Sequence, residues 1–311
     1  MSTPVWSGWL PPESLALLAA ATWATASLFS AAASARMGAF AFTRWRMVFA
    51  ALLLWGMALA TGQWRSLWSD GGSAAWQAIG LLVLSGVIGI FVGDTALFAC
   101  MNRLGPRRSG LLFATHSLFT VVLAALFLDE SLKGWAVPGG VLLMGGVMGA
   151  IALGRREGAA HQLEATQGQL AAGVALGLLS ALGQSVGTLV LKPAMAAGLD
   201  PVAASAVRMT AGFACHALLW CTGLQMARVQ SALQWRDLVY TFASAALAMA
   251  VGMTLILKAL QHGSAGLVGM LSSVSPVLLL PLLWWRTGQR PAWGAWLGAA
   301  MAVVGCALIL A

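Results

Sequence analysis

The sequence predicts an all-α integral membrane protein, with ten transmembrane helices in two inverted five-helix repeats around a central cavity. Three observations carry this. Of the 311 residues, 60% are hydrophobic and only 8% are charged. Soluble domains carry roughly 25% charged residues, so this chain has too few polar groups to cover a surface facing water. Ten apolar segments of about 20 residues are each long enough to span a bilayer as a helix. The second five of these segments repeat the first five at a nearly fixed offset.

The segments run 15–34, 40–60, 76–99, 109–128 and 135–153, then 170–191, 202–223, 237–258, 264–285 and 293–311. The first follows Glu13 rather than a basic stretch and is too long for a signal-peptide core, so it counts as a helix. The second and seventh open on Arg46-Met47 and Arg208-Met209. The third stays apolar until Asp94, nine residues before Arg103, which puts the acid in the outer third of the span. The fourth carries Thr115, His116 and Ser117 and leads into "FLDESL" (127–132). After the fifth comes the longest polar stretch, "RREGAAHQLEATQGQ" (155–169). The chain thus divides into a first repeat at 15–153, a linker at 154–169 and a second repeat at 170–311. The sixth segment contains "GQSVG" (183–187), and the ninth contains "SSVSPVLLLPLL". Nothing outside the segments is long enough to fold as a soluble domain.

An offset of 159 aligns 76–146 with 235–305 without a gap, pairing Trp76 with Trp235, Ser85 with Ser244, Gly93 with Gly252 and Thr95 with Thr254. It also pairs Gly139 with Gly298 and Gly146 with Gly305. An offset of 162 pairs Arg46 with Arg208, so a short indel separates the two registers. Five helices is an odd number, so the second copy enters the membrane in the opposite sense. Inverted repeats suit a molecule that opens alternately to either side, with its site at the repeat interface.

The formal charge is +8, from 17 basic and 9 acidic residues. The arginines are scattered between apolar segments rather than gathered on one soluble face, which excludes nucleic acid as a partner. The expected partners are the lipid bilayer and a small-molecule substrate. No G-x-x-x-x-G-K-[ST] or HExxH occurs, so neither an ATP-driven pump nor a zinc protease is expected. No cofactor, metal or catalytic residue is assigned. Cys100, Cys215, Cys221 and Cys306 lack CxxC spacing and read as packing residues. Most of the 15 tryptophans sit near segment ends, as an interfacial belt does, and give no information on cargo.

Polar groups at depth are the candidate site. A central Asp costs on the order of 3 kcal/mol on insertion scales, so Asp94 faces a partner or water. It reads either as an ion pair with Arg46 or as a carboxylate that exchanges a proton, the proton then being the coupling ion. His116 reads as the better functional histidine, and His216 as an interhelical hydrogen bond. Substrate-cavity candidates are Trp23, His116, Gln184, Ser185, Ser273 and Ser275. Lys192 and Lys258 read as side chains snorkelling to the interface. "GQSVG" also matches the nucleophile-elbow pattern, leaving an intramembrane serine hydrolase (Ser185 with His216 or His262) as the alternative. That elbow needs a strand-to-helix turn, whereas Ser185 lies within an apolar helical stretch, where Gly183 and Gly187 permit close helix packing.

Five helices twice, an arginine opening segments 2 and 7, "FLDESL" after segment 4 and the serine–proline run of segment 9 resemble the EamA-type ten-helix members of the drug/metabolite transporter superfamily. The resemblance implies a secondary transporter in the cell inner membrane, an exporter of small, amino-acid-like or amphipathic metabolites. Two departures stand out: Pro276 faces Ser117 in the other repeat, and Glu130 faces Gln289. Orientation is contested. Ten basic residues fall in the loops after odd-numbered segments and four on the other side. The positive-inside rule therefore puts both termini outside, while the resemblance implies cytoplasmic termini.

Overall fold

The computed structural model describes residues 10–69, 71–130, 134–153, 169–287 and 290–310. Its membrane-type helices are α1 (Pro12–Met37), α2 (Ala39–Thr61), α3 (Gly72–Gly105), α4 (Arg108–Phe127) and α5 (Ala136–Ala152). The second set is α6 (Leu170–Ala196), α7 (Pro201–Cys221), α8 (Trp235–His262), α9 (Ala265–Ser272 continued as Ser275–Thr287) and α10 (Trp293–Leu310). Eight are long and apolar enough to cross a membrane, and α5 and α10 are shorter and apolar. The expected linker, apart from Gln169, lies outside the described residues, as do Lys133, Arg155, Arg156 and Gln289.

Local chemistry sets the helix starts. Pro12 and Pro201 occupy first-turn positions, where a missing N–H costs nothing. Asp200 caps α7 by accepting from the Val202 and Ala203 amides at 2.8 and 3.1 Å. Gln234 and Asp237 form a reciprocal capping box on α8. Gly38, at φ 83, turns the chain between α1 and α2, a backbone region that disfavours any side chain.

The halves are inverted. Pro12, at the start of α1, and Lys192, near the end of α6, both reach Gly263, so α1 and α6 run in opposite directions. Partners are exchanged across the molecule: α1 packs on α8 and α9, as α6 packs on α3 and α4. The pairs α2–α7, α4–α9 and α5–α10 each join a helix to its own counterpart. Glycines show the twofold most directly. A Cβ on Gly139 would lie 2.9 Å from the Gly305 carbonyl, and one on Gly146 would lie 2.6 Å from that of Gly298. The offset of 159 converts one of these contacts into the other, and both allow backbone-to-backbone packing of α5 on α10.

Candidate functional site

Among the described residues four membrane-type helices depart from α geometry, in two symmetric pairs. α3 is π-helical over Gly86–Asp94 and α8 over Ala245–Gly252, positions matched by the offset of 159. α4 breaks at Thr115 and α9 at Ser273 and Val274, and Thr115 matches Val274 in the same register. A π turn or a break takes carbonyls out of the i→i+4 ladder, and in a bilayer each needs another donor. The Trp23 indole supplies one, donating to the Ala248 carbonyl at 3.0 Å. Ser185 supplies another, its Oγ lying 2.6 Å from the His116 carbonyl and 2.9 Å from that of Ala181. Thr120 Oγ1 sits 2.8 Å from the same His116 carbonyl and 3.0 Å from the Ser185 hydroxyl.

The close approach of α3 to α6 has a compositional cause. A Cβ on Gly187 would stand 3.0 Å from the Gly89 Cα, and one on Gly183 would stand 3.3 Å from the Gly93 Cα. Glycine on both faces brings the π stretch against α6, and Ser85 Oγ closes the contact on the Gly187 carbonyl at 2.6 Å.

Charge gathers where α2, α3 and α7 meet. Arg46 Nη1 donates to Asp94 Oδ2 at 2.9 Å, with both side chains buried. The same guanidinium lies 5.2 Å from the Phe98 ring centroid and 6.0 Å from that of Phe42. Arg208, the repeat counterpart of Arg46, is 1% exposed. Each arginine is the eighth residue of its helix. Among the described residues Arg208 Nε and Nη1 have no hydrogen-bond partner, nor does Arg46 Nε. Asp94 interacts electrostatically with both arginines, but its salt bridge is with Arg46. The cluster thus holds two cations and one anion. A buried guanidinium without an acceptor carries a desolvation cost of several kcal/mol, so this arrangement calls for a reason.

Most of the remaining sequence candidates have partners of their own. Gln184 is buried on α6, its backbone nitrogen 3.5 Å from where a Gly93 Cβ would stand. His116 packs on Phe113, with ring centroids 5.0 Å apart. Ser117 Oγ meets Met144 Sδ at 2.8 Å and Ser273 Oγ meets the same sulfur at 3.7 Å, while Ser275 is half-buried. His216 Nε2 lies 3.1 Å from Thr95 Oγ1, between Phe40 and Phe91. Lys192 finds acceptors at a helix end. Its Nζ caps the end of α8, 2.8 Å from the Leu260 carbonyl and 2.5 Å from that of Gly263, because those carbonyls lack intrahelical donors. Glu130 Oε2 accepts from the Ala265 amide at 2.7 Å, tying the end of α4 to the start of α9.

Sequence reasoning noted Arg208 only as a repeat match. The signal for it was present, since the offset of 162 that pairs it with Arg46 does not supply a second acid. Ser185 sits in regular helix, and its hydrogen bonds go to two carbonyls and a hydroxyl rather than to an imidazole nitrogen. Among the described residues no three His, Cys, Asp or Glu side chains converge as a metal site would need.

Comparison with known proteins adds three findings. A family model described as "EamA-like transporter family" matches residues 10–152 and 171–311, one match per repeat. A solved crystal structure is similar over 96% of this chain and 95% of that chain, with a TM-score of 0.74 and 19% sequence identity, which shows a shared fold. No curated protein matches the sequence.

Proposed function

The chain belongs to the EamA-like transporter family, within the drug/metabolite transporter superfamily, and from that premise we propose that it is a secondary active transporter. It works by alternating access in the inner membrane and exports small, amino-acid-like or amphipathic metabolites. The observation that carries this reading is the buried cluster of Arg46, Asp94 and Arg208, built from both halves at their interface. Unwound or broken helices at a repeat interface are where transporters of inverted topology hold their cargo. Here α3, α4, α8 and α9 supply such segments in symmetric pairs.

Trp23, His116, Gln184, Ser185, Ser273 and Ser275 line the path in this reading. Several of them also stabilise the irregular turns, which links cargo contact to the shape of the helix. Asp94 is the coupling carboxylate. Of the acids in the described residues it lies deepest within a helix, and Arg46 is its partner when the proton is off. The hydrolase alternative has no support in the hydrogen bonding of Ser185.

The test is uptake into proteoliposomes over a panel of amino acids, nucleosides and cationic drugs, with and without a proton gradient. Transport of at least one class, faster with the gradient, is the expected result. Single alanine variants of Trp23, His116, Gln184 and Ser185 follow. If all four fold and transport at wild-type rates, the path lies elsewhere.

A further inference from the structure

Arg208 is held in place, yet among the described residues two of its three guanidinium nitrogens have no acceptor. Its carbonyl and Cα press on Gly86, and its Nη2 lies 3.3 Å from where a Gly89 Cβ would stand, so α3 meets it with glycines. Its Nε and Nη1 are buried and find no acceptor. Asp94, the acid whose field reaches it, is engaged by Arg46 at 2.9 Å. On the other side of the twofold the counterpart is complete: Arg46 has Asp94, whereas the position of α8 that matches Asp94 by the offset of 159 is Met253, which carries no charge for Arg208.

We propose that Arg208 binds the carboxylate of the cargo, making this a carrier of carboxylate-bearing solutes. This rests on the transport reading above and names the class of substrate it takes. Charge selects the group. Two guanidiniums and one carboxylate leave a single positive charge, which one monoanionic carboxylate neutralises. A phosphomonoester, at about −1.5 to −2, overfills the site. An amine that carries no carboxylate adds a third positive charge with nothing to offset it in a medium of low dielectric, whereas the ammonium of an amino acid comes with its own carboxylate. Geometry agrees, because a guanidinium donates in its own plane to a planar two-oxygen acceptor. Asp94 stays with Arg46, so cargo binding and proton exchange use different arginines of one cluster.

The test uses matched solutes on the full-length protein: 3-phenylpropionate, its amide and 3-phenylpropylamine, with phenylalanine, phenylalaninamide and phenethylamine as a second set. Thermal unfolding in detergent reads binding, and proteoliposome uptake reads transport. The acid of each set is expected to raise the unfolding temperature and to be taken up, while its amide and amine do neither. Arg208→Gln is expected to weaken the acid's apparent affinity roughly tenfold to a hundredfold, the range of a charge-assisted hydrogen bond. Arg208→Lys, which keeps the charge and loses the planar fork, retains part of the response and serves if the glutamine variant does not fold.

Equal response to acid, amide and amine overturns the proposal. So does an unchanged acid response in Arg208→Gln, the result expected if water alone solvates the guanidinium, and so does an equal shift from chloride or inorganic phosphate. Uptake of the amines alone overturns it while leaving the transport reading intact. Acid binding that depends on Arg208 without uptake of any solute upholds the site and sinks the transport reading instead.

Discussion

Replacing Asp94 with asparagine removes the one negative charge from a cluster with two buried guanidiniums. The Arg46 contact is 2.9 Å between heavy atoms with both groups buried. With charge centres about 4 Å apart and an effective dielectric of about 20, the lost attraction is about 4 kcal/mol. That agrees with the roughly 3–5 kcal/mol lost when one partner of a buried pair is removed. At about 2–4 °C per kcal/mol for a chain of similar size, Asp94→Asn should lower the unfolding temperature by roughly 10 °C. Arg46→Met should cost a similar amount by stranding the carboxylate. The double variant should recover most of the loss, because replacing a buried pair by neutral groups is often close to neutral. The assay is thermal unfolding of the four proteins in one detergent, read as a double-mutant cycle. An Asp94→Asn protein within about 2 °C of wild type would refute the reasoning, and so would single losses that simply add in the double variant.

Other expectations follow from the same geometry. Gly146→Val and Gly298→Val each drive a side chain into the facing backbone of α5 or α10, at a cost of about 3 kcal/mol. Both should reduce the monodisperse fraction by similar amounts, while Gly56→Ala, with nothing within 4 Å, should not. Ser185→Ala gives up the donor to the His116 carbonyl and should cost about 1 kcal/mol. A fluorophosphonate probe should leave wild-type protein unlabelled, and labelling that Ser185→Ala abolishes would revive hydrolase chemistry. A C-terminal reporter active only in the cytoplasm should stay silent if the arginine-rich face is cytoplasmic. A strong signal there would overturn the charge count in favour of the family's orientation.

Much of the fold could be read from the sequence because the bilayer imposes one rule, that each span be apolar and about 20 residues long. The boundaries moved where helices outrun that core. α3 runs Gly72–Gly105 rather than 76–99, carrying Asn102 and Arg103 on its last turns, and α8 starts at Trp235 because Gln234 and Asp237 cap it there. The π stretches were not legible. Apart from Asp94 the residues there are apolar on every face, so the hydrophobic period does not change when an α turn becomes a π turn. Ser185 and Trp23 show the limit on the site. Each stood out as polar at depth, but the carbonyls they serve, those of His116 and Ala248, lie in or beside irregular turns that hydropathy does not reveal. Arg208 was visible as a repeat match, but the weight it carries comes from its missing acceptor, which only a three-dimensional arrangement displays.

A duplicated chain with perfect internal symmetry would have two end states of equal free energy, reached by swapping the conformations of its halves. Asp94 is one of the residues that break that symmetry, and it does so with a buried charge, because its counterpart at 253 is methionine. In the conformer described here Arg46 keeps its carboxylate. Under the alternating-access proposal, a swapped conformer would set Met253 in the corresponding place, and a thioether has no charge to give. On that proposal the mismatch favours one resting side, like a balance loaded on one pan, and a cargo carboxylate on Arg208 would supply the counterweight.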